Sequence, residues 1–164
     1  MPNSDSTSRI VFLGTGTSEG VPRVSCLTNP DSKCVVCPDA INLGSPNRRR
    51  NTSILVQRKL SRGRTSNIVI DAGKFFYESA IQWFPKFDAR TIDALVITHA
   101  HADAVGGFDD LRDWTNNGQE SLPIYIRETD LVSVESLFYY LVDRTKQTGG
   151  GGVAKLDFEI IDAT

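Results

Sequence analysis

An α/β layered fold is the architecture this sequence predicts. Two observations carry the expectation: short apolar runs of strand length recur along the chain, and stretches with helical spacing stand between them. A third sets the scale. With 164 residues the chain fits one domain, able to bury roughly 70% of its unfolded surface.

The elements follow in order. Residues 1–8 are polar and read as a disordered tail, leaving 9–164 as the domain. Ile10-Val-Phe-Leu13 reads as a buried strand that stops at Gly14-Thr-Gly16. Residues 17–50 are rich in Gly, Pro, Ser, Asn and Cys, so a long loop is expected, and a loop of that length is usually functional or pinned. Residues 53–57 and 67–71 read as strands of a hairpin. Apolar Phe75, Phe76, Ala80, Ile81 and Phe84 have helical spacing that ends at Pro85. Residues 92–98 form a further buried strand, 106–114 begin a short helix, 123–126 are a strand and 129–142 a helix. The glycine run 149–152 is a flexible break. Beyond it Leu156, Phe158 and Ile160 alternate with polar neighbours as in a half-buried strand.

Composition excludes some functions. The net charge of −2, from 18 basic and 20 acidic residues, provides no basic excess for nucleic acid. No apolar run reaches the ~18 residues of a membrane span, and no signal or transit peptide is visible, so the expected location is the cytoplasm. Three cysteines are an odd number, which argues against a closed disulfide framework.

Both histidines of the chain lie in Thr98-His99-Ala100-His101-Ala102-Asp103, after the apolar Leu95-Val-Ile97. Residues i and i+2 on a strand point the same way, so His99 and His101 can converge on one cation. Asp103, on the turn leaving the strand, can enter the same site, and the small alanines leave room for close approach. Imidazole with carboxylate suits zinc, manganese or iron, with zinc the commonest. Such a site is expected to perform hydrolysis, since a bound ion lowers the pKa of its water and polarises a phosphoryl or carbonyl oxygen. The bland alternative is two surface histidines adjacent by chance.

This motif resembles the His-x-His-x-Asp-His signature of the metallo-β-lactamase superfamily. Four further stretches agree: Phe12-Leu-Gly-Thr-Gly-Thr-Ser18, Arg50-Asn-Thr-Ser-Ile-Leu-Val56, Ile70-Asp-Ala-Gly73 and Gly106-Gly-Phe-Asp-Asp-Leu-Arg112. Within the superfamily the chain is most similar to the phosphonate-pathway branch of cyclic-phosphate phosphodiesterases. The resemblance implies an αββα sandwich of which this chain spans the first half. It also implies a metal-dependent hydrolase of a small or cyclic phosphodiester. His99 and His101 would hold the first ion, Asp103 would face a second position and orient the attacking water, and Asp71 would support the site without ligating. Two departures qualify it. Position 104 is alanine where the family carries a third motif histidine, and no histidine follows His101. Asp109 and Asp110 offer substitute carboxylates or helix caps. The short chain is therefore expected to be weak or inactive. Half a sandwich would also expose one apolar sheet face, through which a homodimer could form. The rival readings are an RNA phosphodiesterase like the tRNA 3′-end-processing endonucleases, and a truncated homologue that binds metal or a partner without turnover.

Cys26, Cys34 and Cys37 fall in the long loop, and Cys34-Val-Val-Cys37 has the spacing of structural zinc sites. A structural zinc is expected there, with a redox pair as the lesser alternative. Gly14-Thr-Gly16-Thr-Ser-Glu-Gly20 is not a dinucleotide fingerprint, because position 19 is Glu and no helix follows; a tight turn accounts for its glycines. Arg48-Arg-Arg50 reads as a solvated charge run.

Overall fold

The computed structural model describes residues 8–147 and 151–161. Of the expected tail at 1–8, residues 1–7 lie outside the described residues, as do 149 and 150 of the glycine break at 149–152. One six-stranded sheet organises the rest, with spatial order β1 to β6 identical to chain order. Strand β1 (Arg9–Gly14) leads into the long loop, which contains two four-residue helices, α1 (Val24–Leu27) and α2 (Val36–Asp39). The hairpin β2 (Ser53–Lys59) and β3 (Thr65–Ile70) follows, then α3 (Phe76–Trp83) and β4 (Ala94–Val96). The chain continues through α4 (Ala102–Val105), α5 (Arg112–Asn117), β5 (Leu122–Ile126), α6 (Glu128–Leu137), α7 (Tyr139–Val142) and β6 (Leu156–Ile160). Strands β1 to β3 pair antiparallel, and β3 to β6 pair parallel. Parallel neighbours need crossover connections, and the intervening helices provide them.

The period of two along each strand decides which face is buried. Val11, Leu13, Leu55, Val69, Leu95, Leu122, Ile124, Ile126 and Leu156 point into one core, where Phe76, Ala80, Phe84, Phe108, Leu111, Val134 and Leu141 from the helical segments meet them. Aromatic rings lock this layer: Trp114 lies 5.7 Å from Phe76 and 5.5 Å from Phe84. The opposite face carries Ile10, Phe12, Ile54, Val56, Ile68, Ile70, Val96 and Tyr125, in register across β1 to β5. None of these belongs to the core, and Ile10 and Phe12 are 64% and 60% exposed. The uncovered apolar face expected of a half-sandwich is therefore present among the described residues. It also corrects the reading of Ile10-Val-Phe-Leu13, which is an edge strand buried on one side only.

Three further differences have local causes. Regular strand pairing in β4 ends at Val96, so the histidines sit beyond the strand. The helix expected over 129–142 breaks at Phe138, which leaves helical geometry at φ −128° while its ring packs against Phe108. The arginine run is solvated only at Arg49, which is exposed and donates to Thr15 Oγ1 (2.8 Å); Arg48 and Arg50 are half-buried, Arg50 donating to Gln82 Oε1 (2.5 Å) and both facing Glu78. Among the described residues no helix is long and apolar enough to cross a membrane.

Candidate metal centre

The site forms where the loops after β3 and β4 meet the glycine loop after β1. Asp71 leaves β3 in the left-handed region, φ 59°, which Asp tolerates better than most residues. The segment is then stitched to the histidine motif: Ala72 N–H donates to Ala104 O (2.7 Å), and Gly107 N–H donates to Ala72 O (2.8 Å). Gly73 permits this approach, since a Cβ there would lie 2.0 Å from Asp103 O.

His99, His101 and Asp103 converge, each offering a ligand atom within 4.8 Å of the others. The convergence does not come from strand alternation. His99 lies in the loop beyond β4, His101 is the residue before α4, and Asp103 is in the first turn of that helix. The imidazoles stand edge to face, with centroids 5.0 Å apart. His101 is exposed and His99 and Asp103 are half-buried, so the cluster faces solvent on one side.

Asp71 sets the state of His99 through an intermediate. Its Oδ1 accepts from Thr98 N–H (2.8 Å), and its Oδ2 accepts from the Thr98 hydroxyl (2.7 Å). That hydroxyl has spent its proton, so its 3.0 Å contact with His99 Nδ1 requires Nδ1–H as the donor. A neutral His99 then carries its lone pair on Nε2, which lies 3.4 Å from Asp103 Oδ1. Two acceptors at that distance need a proton or a cation between them. The separation is also the edge of a tetrahedron with bonds of ~2.1 Å, the length of zinc bonds to nitrogen and oxygen. The donor set therefore fits a divalent ion.

Hydrogen bonds hold the carboxylates and the loop in place. The Ser18 hydroxyl donates to Asp103 Oδ2 (2.8 Å), and this bond is the main reason the Asp103 carboxyl titrates below the ordinary range, against some desolvation. Burial pushes Asp71 up, opposed by its Thr98 bonds and reinforced by the nearby Asp103 charge. Asp130, in the first turn of α6, accepts from Ala100 N–H (3.2 Å) and pairs with Arg127.

Position 104 offers no ligand: Ala104 is fully buried. Asp109 and Asp110 stand outside the metal-compatible groups found among the described residues, and neither caps a helix. Burial, with the adjacent Asp109 charge, raises Asp110. The glycines of the first loop serve close approach more than a turn: a Cβ on Gly14 would meet Asn51 O at 1.9 Å, and one on Gly16 would meet Arg50 O at 2.7 Å. Gly20 alone of these three adopts a positive φ, 72°.

Cys26, Cys34 and Cys37 form the second such group. Cys37 N–H donates to Cys34 Sγ (3.4 Å). That bond, with those from Cys26 and Val36, lowers the Cys34 thiol to about 7. A cavity of about 460 Å³ lies elsewhere, beside α3 and α5, lined by Ile81, Phe84, Arg90 and Trp114 among others, and no motif residue borders it.

A mixed histidine–carboxylate cluster at the loop end of an α/β sheet is an arrangement that metal-dependent hydrolases use. Residues 47–147 match the metallo-beta-lactamase superfamily, and the chain belongs to it. A diphosphatase of the PhnP family is similar in structure, with TM-score 0.67 and 26% identity, over 95% of this chain and 51% of that one. Zn(2+)-bound PqqB from Methylobacterium extorquens shares the fold, with TM-score 0.62 and 22% identity, over 96% of this chain and 50% of that one. An octanoyltransferase of Porphyromonas gingivalis (strain ATCC BAA-308 / W83) is 32% identical over 141 residues, 86% of this chain and 25% of that protein. The chain thus spans about half the length of the two solved structures and a quarter of the octanoyltransferase.

Proposed function

We propose that this chain carries the first-ion half of a metal-dependent phosphodiesterase centre acting on a small or cyclic phosphodiester. The single observation that carries the reading is the convergence of His99, His101 and Asp103 at an open, solvent-facing position. The likeness to a PhnP-family diphosphatase supports cleavage at phosphorus. A bound ion, with zinc, manganese or iron as candidates, would lower the pKa of its water and polarise a phosphoryl oxygen.

The chain's own residues do the rest. Asp71 and Thr98 hold His99 with Nε2 free. Asp103 presents Oδ1 toward that nitrogen and is ionised at neutral pH, so it can join the two imidazoles as a third ligand to the ion that orients the water. Asp130 fixes the backbone between the two histidines. The Cys26, Cys34 and Cys37 cluster is read as a structural zinc site that folds the loop.

A second reading rests on the octanoyltransferase match: the same centre could act on an acyl ester or thioester. Both are tested by supplying zinc, manganese or iron and assaying a bis-aryl phosphodiester beside an octanoyl thioester. Phosphodiester turnover abolished by His101→Ala supports the first reading, and thioester turnover with the same dependence supports the second. Tight binding of metal at the histidines with neither activity identifies a binding module.

A further inference from the structure

We propose that Ser18 is a positioning residue for the metal centre: its hydroxyl clamps Asp103 so that Oδ1 alone faces the ion. The inference rests on the reading of His99, His101 and Asp103 as ligands. The hydroxyl donates to Asp103 Oδ2 at 2.8 Å across 85 residues of sequence, while Oδ1 of the same carboxylate lies 3.4 Å from His99 Nε2. A carboxylate on the first turn of a four-residue helix has two rotatable bonds, and its two oxygens are chemically equivalent until a partner distinguishes them. One charge-assisted hydrogen bond on one oxygen makes that choice and leaves the other oxygen as a single-atom ligand.

The clamp works only if Ser18 is itself immobile, and its surroundings show that it is anchored. Its carbonyl accepts from Lys74 Nζ (2.7 Å) and from Asn51 Nδ2 (3.1 Å), and Asn51 Nδ2 also donates to Thr17 O (2.9 Å). Asn51 is 3% exposed, so its amide is a fixed post rather than a surface tether. The next turn closes with Gly20 N–H on Thr17 O (3.0 Å). Gly14 and Gly16 let the strand end press against Arg50 and Asn51 so that this post can reach the loop. The glycine loop, which lacks the dinucleotide fingerprint, thereby acquires a role: it delivers one hydroxyl to the metal-facing carboxylate. Ser18 is solvent-exposed, so replacing it removes the hydroxyl without opening a core cavity.

The test compares the wild type, Ser18→Ala and Ser18→Thr, each with and without His99→Ala. Zinc or cobalt affinity is measured by chelator competition, and the cobalt absorption spectrum is recorded. Only the His99-dependent component is counted, which removes metal held by the cysteines. Removing a bond that orients a ligand costs about 10–100-fold in metal affinity. Ser18→Ala is expected to lose that much and to change the His99-dependent cobalt spectrum, while Ser18→Thr, which keeps the hydroxyl, stays within a few-fold of wild type. Wild-type affinity and spectrum in Ser18→Ala would overturn the clamp. Equal losses in Ser18→Ala and Ser18→Thr would also overturn it, because the side chain's shape would then matter and its hydroxyl would not. Absence of any His99-dependent metal in the wild type would overturn the underlying reading of the ligands instead.

Discussion

Asp71→Asn isolates the most specific piece of chemistry in this structure. Asn keeps an oxygen able to accept from Thr98 N–H and tolerates the left-handed backbone at φ 59°, so the fold is preserved. It replaces Oδ2, which accepts the Thr98 hydroxyl at 2.7 Å, with an NH2 donor. The Thr98 hydroxyl must then turn its proton elsewhere, and His99 Nδ1, 3.0 Å away, is the acceptor in reach. His99 thereby moves its own proton to Nε2 and loses the lone pair aimed at the site. An orienting partner of this kind is worth about 10–100-fold in metal affinity, or about 1.4–2.7 kcal/mol. Global stability should change far less. Exchange of a charge-assisted bond for a neutral one costs about 1 kcal/mol, and relief of the buried charge offsets part of it. The assay pairs chelator competition with imidazole 15N shifts, which are assignable because the chain has only two histidines. An unchanged Nδ1–H tautomer with unchanged affinity would refute the reasoning.

Further outcomes follow from other parts of the structure. Gly73→Ala places a Cβ 2.0 Å from the Asp103 carbonyl, a backbone atom that cannot swing aside, so metal affinity should collapse although the substitution adds one methyl; retained affinity would show that the loops separate freely. Phe108→Ala empties a fully buried ring position beside Phe138 and Phe158 and should cost about 3–5 kcal/mol in denaturant unfolding; a loss under 1 kcal/mol would mean the helical layer is loosely packed. In metal-free protein Cys34, held down to about 7 chiefly by the Cys37 N–H, should alkylate with a midpoint about there, rising with pH as thiolate forms; zinc should suppress the reaction and protect residues 17–50 from protease, and indifference to zinc would sink the structural site. We propose that the apolar sheet face pairs with a second copy in this chain, so sedimentation should show concentration-dependent dimers that Phe12→Arg dissolves; a monomer at all concentrations would refute it.

Much of the fold was legible because burial imposes a period of two on strands such as β2, β3 and β5, and the turn residues between them are polar. The helix break at Phe138 was not, because a tertiary contact with Phe108 competes with a continuous helical pattern. The clustering of His99, His101 and Asp103 was legible in six adjacent residues, although it arises from a loop and a helix start and not from strand alternation. Asp71 was reached through resemblance, whereas its route through Thr98 lay one residue from His99 and carried no signal of its own. Ser18, Asn51 and Asp130 act across 85, 33 and 30 residues of sequence, distances at which a single sequence records no pairing. The partial burial of Arg48 and Arg50 carries no sequence signal because their partners, Glu78 and Gln82, are brought to them only by folding.

Zinc-edge anomalous diffraction from crystals of this chain grown with zinc tests the central claim most directly. The account predicts an anomalous peak at about 2.0–2.2 Å from one nitrogen each of His99 and His101 and from Asp103 Oδ1, separate from any peak at the cysteines. Zinc at the cysteines alone, with both imidazoles free, would contradict it.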